Sequence, residues 1–360
     1  MLKVGIAGLR RGAGVARVFL NHKECQVVAG CDLRTELAQK WTADNNVPYW
    51  FDDYTKFCES DLDAILVATP APVHVPCAIE ALQNGKHVLS EVPACYDLQQ
   101  ARDLVAAVEA APKLKYMFAE NMCYFAWVQA YKEMIHRGDL GEIVYAEGEY
   151  VHDLGGLMYD EDGKLTWRTR LPPILYPTHD LGPILQIMQD RVVTAVGMHT
   201  GCRKRPEIGN IDMEVGLFKT AKGNVIKQLC GFSVAKEPAH HWFCIYGTKG
   251  QIESPRTPDG KHLLWLEDMP SLTSSIQLPL GTNHRGAPPE ALAGGHGTSE
   301  YYMINDFVRC ILDDSKPAID VYEGLDQTLP GVCAHMSAES GSEPVPVPDL
   351  RPEARGGAAL

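Results

Sequence analysis

The tightest constraint on this fold lies in the first 121 residues, where short apolar runs recur at residues 3–7, 26–31, 49–51, 64–68, 85–89 and 115–119 with amphipathic helical segments among them. Parallel strands need crossovers long enough to hold a helix, so this alternation predicts a parallel, doubly wound α/β sheet. The first run leads into Gly8-Leu9-Arg10-Arg11-Gly12-Ala13-Gly14 and then a helix through Val15, Val18, Phe19 and Leu20. A dinucleotide-binding turn wants G-x-G-x-x-G/A. Gly8 suits its tight turn and Gly12 or Ala13 its close helix packing, while Arg10 stands where a glycine would let backbone approach a diphosphate. Arg10 and Arg11 beside a helix amino terminus can instead meet diphosphate charge directly. A plain glycine turn accounts for the same residues. Asp32 ends the second run, 24 residues beyond Gly8. An acid there suits a ribose 2′-hydroxyl and favours NAD over NADP, a preference that Arg34 weakens.

The stretch Ser90-Glu91-Val92-Pro93-Ala94 follows the fifth run. Ligands of open α/β sheets bind outside the carboxyl ends of the strands, so Glu91 and Pro93 are expected to face the cofactor. The same residues also read as a strand-to-helix loop, with Pro93 stopping the strand and Asp97 capping a helix over 97–110.

Beyond residue 121 the pattern changes. A helix over 125–137 precedes strands at 142–151, 192–200, 213–220, 224–232 and 242–246, separated by turns such as Ala221-Lys222-Gly223 and Thr248-Lys249-Gly250. These are expected to form an antiparallel sheet with one face on a core and the other left for helices or a second subunit. The division expected is 1–121 for a nucleotide-binding domain, 122–350 for a substrate-binding and oligomerisation domain, and 351–360 for a tail. A homodimer or homotetramer through the open sheet follows, since soluble monomers seldom carry large apolar patches. Residues 255–297 are rich in Pro, Gly and Ser and read as a loop or flap, after which Thr298 or Ser299 caps a helix over 301–312. Residues 355–360 read as disordered.

A chain of 360 residues with 45% hydrophobic content can bury two cores. The formal charge of -13 argues against nucleic acid and anionic membrane, both of which need clustered Lys and Arg, and fits a small neutral or polar substrate better. Eleven singly scattered cysteines suit a reducing cytoplasm. No run reaches 18 apolar residues and Met1 leads straight into a strand, so a soluble, cytoplasmic protein is expected. The histidines show no H-x-x-x-H spacing and the cysteines no C-x-x-C, and no metal is expected.

With the glycine turn, Asp32, Thr69-Pro70, His74, the run 78–88 and Glu91-Val92-Pro93 in this order, the chain resembles the glucose-fructose oxidoreductase/inositol dehydrogenase (Gfo/Idh/MocA) family over nearly its whole length. The resemblance implies an amino-terminal Rossmann domain and a carboxy-terminal domain built on an open antiparallel sheet. The family's dehydrogenases carry E-K-P, whose lysine takes part in proton transfer. Here Val92 stands in its place and can neither carry a proton nor donate a hydrogen bond. The family's helix-start histidine matches His179, while the aspartate usually found four residues earlier is Leu175. Tyr176-Pro177-Thr178-His179, with Leu181-Gly182-Pro183 behind it, is similar to the NAD-dependent glycosidase branch, the α-N-acetylgalactosaminidases of glycoside hydrolase family 109, which also has E-V-P. Glu120-Asn121 with Tyr124, Gly294-Gly295-His296-Gly297, Asp320-Val321-Tyr322 and Val345-Pro346-Val347-Pro348-Asp349 match further. Where that branch has a site tyrosine before its G-T-K-G turn, this chain has Pro238-Ala239-His240-His241, so the sugar can differ.

Such glycosidases use NAD without net redox change: the hydroxyl at C3 is oxidised, the C2 proton becomes acidic, the glycosidic group is eliminated, water adds and hydride returns. The resemblance implies catalytic roles for His179, Tyr176 and Tyr124, and substrate contacts by Glu91, Arg168, Arg170, His240 and His296. It implies cofactor contacts by Gly8, Arg10, Arg11, Gly12, Asp32, Thr69, Pro70, His74, Glu91 and Asn121. Structural alternatives stand beside these: a backbone-satisfied histidine at 179, a packing tyrosine at 124, solvated arginines at 168 and 170, a loop histidine at 296. His240 and His241 point to opposite faces if they lie on a strand, so at most one reaches the site. The function expected is a redox-neutral, NAD-dependent glycosidase. The alternatives are an NAD-dependent sugar or polyol dehydrogenase and a nucleotide-bound sensor.

Overall fold

A computed structural model describes residues 1–269 and 274–356, and the chain folds into two compact units. The first is Met1–Phe125 with Thr282–Leu325 and the stretch that starts at Leu350; the second is Ala126–Gly281 with Asp326–Asp349. Compared with the division expected near residue 121, a late segment therefore returns to the first unit.

In chain order the first unit begins β1 Leu2–Ala7, α1 Arg11–Asn21, β2 Cys25–Cys31, α2 Thr35–Asp44, β3 Tyr49–Phe51, α3 Tyr54–Glu59, β4 Ala64–Val67, α4 His74–Gln83, β5 His87–Ser90, α5 Leu98–Ala110 and β6 Tyr116–Phe118. The second holds α6 Ala126–His136, β7 Ile143–Val151, α7 Thr178–Met188, β8 Val192–His199, β9 Met213–Thr220, β10 Val225–Gly231, β11 His241–Gly247, β12 Gly250–Glu253, β13 His262–Leu266 and β14 Ile276–Leu278. Then come α8 Ser299–Leu312 in the first unit, α9 Val321–Glu339, and β15 Val345–Pro346 in the second.

The first sheet has the order β3-β2-β1-β4-β5-β6, with every pairing parallel. All four residues of β4 are buried. Alternate strand residues point to opposite faces, so this requires cover on both. The order reverses between β1 and β4, the switch point where such sheets bind ligands. The reason Thr282–Leu325 returns is apolar packing: Met303, Ile304, Phe307 and Val308 of α8 share one buried core with Val15, Val18 and Phe19 of α1.

The second sheet has nine strands in the order β14-β13-β12-β11-β7-β10-β9-β8-β15. It is mostly antiparallel. The exception to the expected pattern is β10 with β7, which pair in parallel because the chain passes through α7, β8 and β9 between them. Strand β9 alternates between buried and more exposed residues, as expected for a sheet with one covered face. Val144, Met198, Leu217, Tyr246 and Trp265 are exposed apolar side chains on its strands.

Three local expectations need correction. The segment 255–297 contains β13 and β14, so it is not wholly loop. Neither Thr298 nor Ser299 caps α8: Thr298 Oγ1 accepts from the His284 amide, and Ser299 donates to the His296 carbonyl. Arg355, read as the start of a disordered tail, donates from Nε to the Leu350 carbonyl at 3.0 Å and pairs with Glu109; the rest of that expectation, 357–360, lies outside the described residues. Asp97 does cap α5, accepting from the Gln100 amide at 2.8 Å. None of the eleven cysteines, all of them among the described residues, forms a disulfide, and nine are buried; no described helix is long and apolar enough to cross a membrane.

Candidate active site

In the first unit, the residues expected to hold a cofactor gather after β1, β2, β4 and β5. Gly8 adopts φ +85°, and a Cβ there would lie 2.3 Å from the Ala68 carbonyl oxygen, so only glycine lets the turn pass this close to the end of β4. Gly12 packs on Ile6 and Ala68. Asp32 Oδ2 accepts from the Leu9 amide at 3.0 Å and Oδ1 from the Arg34 amide at 3.0 Å, locking the glycine turn to the end of β2. The start of α1 has no side-chain cap, and its Gly12 amide donates back to the Gly8 carbonyl at 2.9 Å. A glycine cradle, an uncapped helix start and an acid at the end of β2 together fit a dinucleotide.

Other residues of the set are engaged differently from the expectation. Arg10 is exposed beside α1. Arg11 does not stand ready for a diphosphate: its guanidinium lies 2.9 Å from Glu91 Oε1 and 2.9 Å from Glu300 Oε1. Arg11, the first residue of α1, thus places a cation beside Glu91, the neighbour of Val92. His74 is buried with Nδ1 3.1 Å from the Pro93 carbonyl and Nε2 2.6 Å from the Thr69 carbonyl, so it ties the Thr69-Pro70 turn to the E-V-P stretch. Asn121 is buried after β6, and the Tyr124 hydroxyl donates to Asp306 at 3.0 Å. Burial and the Asp306 carboxylate push the Tyr124 hydroxyl well above its ordinary pKa.

His296, in the double-glycine motif, places Nδ1 2.8 Å from Glu300 Oε1, and the Gly295 amide donates to Glu300 Oε2 at 2.7 Å. Burial alone would raise the Glu300 pKa, but the His296 hydrogen bond and the Arg11 charge outweigh it and hold the group at about 2. A depressed carboxyl contributes stability above its unfolded pKa, near 4.5, and loses it as pH falls toward 2. We therefore expect the melting temperature of the native chain to drop more steeply between pH 5 and pH 3 than that of Glu300→Gln. Equal slopes in a pH series of thermal melts would show that this carboxylate carries no such linkage.

In the second unit a cluster of rings forms at the start of α7 and the ends of β7 and β11. Tyr150 and His241 are register partners across β7 and β11 and stack with centroids 5.1 Å apart at 13°. The His179 ring meets Tyr150, Tyr176 and His241 at 5.4, 5.2 and 5.6 Å, each close to edge-on. Asp180 is fully buried and accepts from His241 Nδ1 at 3.0 Å, with Gln228 Nε2 at 3.4 Å on its other oxygen. A carboxylate only accepts, so Nδ1 of His241 donates and Nε2 becomes the basic nitrogen. Gly148 of β7 lets this happen: a Cβ there would press on Gln228 and on Asp180 Cβ, closing the gap into which α7 fits.

Sequence reasoning selected His240 of the adjacent pair, but it is His241 that joins His179. His240 is exposed, stacks on His152 at 4.4 Å and pairs with Glu237 at 2.8 Å. Arg168 and Arg170 lie on the single turn Trp167–Arg170, with Arg168 over the Trp167 ring at 4.6 Å. Tyr150, Asp180 and His241 were missed. Asp180 stands next to His179 in sequence, which was the available signal.

Comparisons with known proteins follow the same division. The profile of the oxidoreductase family with NAD-binding Rossmann fold matches residues 2–119, and that of the glycosyl hydrolase 109 C-terminal domain matches 262–354. A glycosyl hydrolase family 109 protein of Streptomyces filamentosus is 30% identical, over 97% of this chain and 77% of its own length. One from Porphyromonas gingivalis is 27% identical over 97% of this chain and 84% of its own. Among solved structures, levoglucosan dehydrogenase in complex with NADH has a TM-score of 0.82 at 19% identity, covering 97% of this chain and 100% of its own. Scyllo-inositol dehydrogenase from Lactobacillus casei, with bound NAD(H) and scyllo-inositol, has 0.77 at 18%, covering 96% and 99%. At such identities the likeness shows the fold.

Proposed function

This chain belongs to glycosyl hydrolase family 109, with an NAD-binding Rossmann domain at its amino terminus, and from that premise we propose that it cleaves a glycoside without net redox change. The observation that carries the reading is the cluster of Tyr150, Tyr176, His179 and His241, with buried Asp180 behind His241. Elimination across C1 and C2 needs one group to take the C3 hydroxyl proton, another to take the C2 proton, and a donor for the leaving oxygen. His241, oriented by Asp180, is suited to hold one proton on Nε2, and His179 with Tyr176 to handle another. Bound NAD would accept a hydride from C3 and return it after cleavage. Gly8, Gly12 and Asp32 would hold that cofactor, and Asp32 favours NAD over NADP by opposing a 2′-phosphate. The reading is tested by following NADH while an aryl glycoside is cleaved. Product without stoichiometric NADH supports it, and NADH in proportion to product would replace it with a plain sugar or polyol dehydrogenase.

The exposed Met198, Leu217, Tyr246 and Trp265 on the nine-stranded sheet support a second copy as their cover. A homodimer or homotetramer is expected by light scattering at micromolar concentration; a monomer there would refute it.

A further inference from the structure

Apart from the rings around His179, the second unit gathers three metal-ligating side chains that no motif announced. His152 follows β7, His240 precedes β11, and Glu237 lies three residues before His240 in the connection from β10. One ligand atom from each lies within 4.8 Å of the others. We propose that His152, Glu237 and His240 form a site for a borderline divalent ion of the zinc type, with a fourth position open to water or a substrate oxygen.

The donor set suits such an ion, because imidazole and carboxylate are the ligands that zinc takes in three-residue sites. Zinc bonds of about 2.0–2.2 Å place tetrahedral ligands about 3.3–3.6 Å apart, so the widest separation, at most 4.8 Å, closes by up to about 1 Å, while the hydrogen-bonded His240 and Glu237, 2.8 Å apart, part slightly. Freedom to close resides in His240, whose side chain is 47% exposed. The other two ligands are already oriented. Glu237 Oε1 accepts from the Asp153 amide at 2.5 Å, and the Tyr150 hydroxyl lies 3.3 Å from His152 Nδ1, outer contacts of the kind that fix a carboxylate and an imidazole tautomer at a metal. The His152 and His240 rings are stacked, 15° from parallel with centroids 4.4 Å apart, so one ring must turn to bring both in-plane lone pairs onto one ion, and the more exposed His240 is the one placed to do so. An ordinary surface pair of Glu237 with His240 would explain two of the three groups but not the stacked His152. Tyr150 connects this site to the His179 cluster, touching His152 with its hydroxyl and His179 with its ring.

Zinc chloride titrated calorimetrically into EDTA-treated full-length protein, with neither NAD nor sugar present, tests the proposal independently of the reaction. One site per chain is expected, with affinity lowered at least tenfold in Glu237→Gln and in His240→Ala. His199→Ala, which removes a histidine held by Glu339 and the Gly201 amide and by none of the three ligands, is expected to keep the site. Melts in EDTA control for folding: the variants should match the native chain there, and only the native chain and His199→Ala should gain melting temperature on adding zinc. No saturable zinc uptake by the native chain, or uptake unchanged in both ligand variants, would overturn it.

Discussion

His179→Ala is expected to lower glycoside turnover by about 100- to 10,000-fold, the usual cost of removing one positioned acid or base. Affinity for NAD should stay close to native, because the residues that fit the cofactor, Gly8, Gly12 and Asp32, belong to the first unit and His179 to the second. The ring is partly buried against Tyr150 and Tyr176, so its loss also removes packing. A thermal melt separates the two effects, and His179→Gln, which keeps bulk and polarity but not the basic nitrogen, should be nearly as inactive. A rate near native for either variant would remove His179 from the chemistry.

Gly8→Ala should act on the cofactor instead. The new Cβ would sit 2.3 Å from the Ala68 carbonyl oxygen at a backbone φ of +85°, so both contact and conformation oppose it. Such a strained position costs about 1–3 kcal/mol, and relief requires the turn to move away from β4. We expect NAD affinity to fall on the order of 10- to 100-fold, measured by fluorescence or calorimetric titration. Gly14→Ala is the contrast: its Cβ would meet only Arg11 Nη1 at 3.7 Å, and inside a helix the exchange should be neutral or stabilising by up to about 1 kcal/mol. Native affinity in Gly8→Ala would mean that the turn does not hold the cofactor.

Local pattern carried much of the fold. β3 falls at the short apolar run 49–51 and β9 at the alternating strand expected over 213–220, and the Asp97 cap was legible because a capping side chain acts only three residues away. What escaped depends on distant partners. An amphipathic helix such as α8 declares an apolar face but not that the face belongs against α1. Strand direction is not encoded in alternation, so the parallel pairing of β10 with β7 was hidden. β13 is five residues long and lies amid Pro and Gly turns, so its alternation was too short to stand out. In the site, His179 and Tyr176 were legible through a contiguous motif, whereas His241 meets Asp180 across 61 residues of sequence. Choosing between His240 and His241 needed the strand phase, which only the register with Tyr150 supplies. Arg11 looked like a phosphate ligand because sequence places it by the glycine turn, with no hint that Glu300 would arrive beside it on α8.

Cleavage by elimination passes through loss of the C2 proton, and this distinguishes it from direct hydrolysis and from simple oxidation alike. Run in D2O with NAD and an aryl glycoside substrate, the reaction should give a sugar carrying solvent deuterium at C2, read by NMR or mass spectrometry, with no NADH accumulating. A cleaved sugar that retains its original C2 proton would contradict the proposed function.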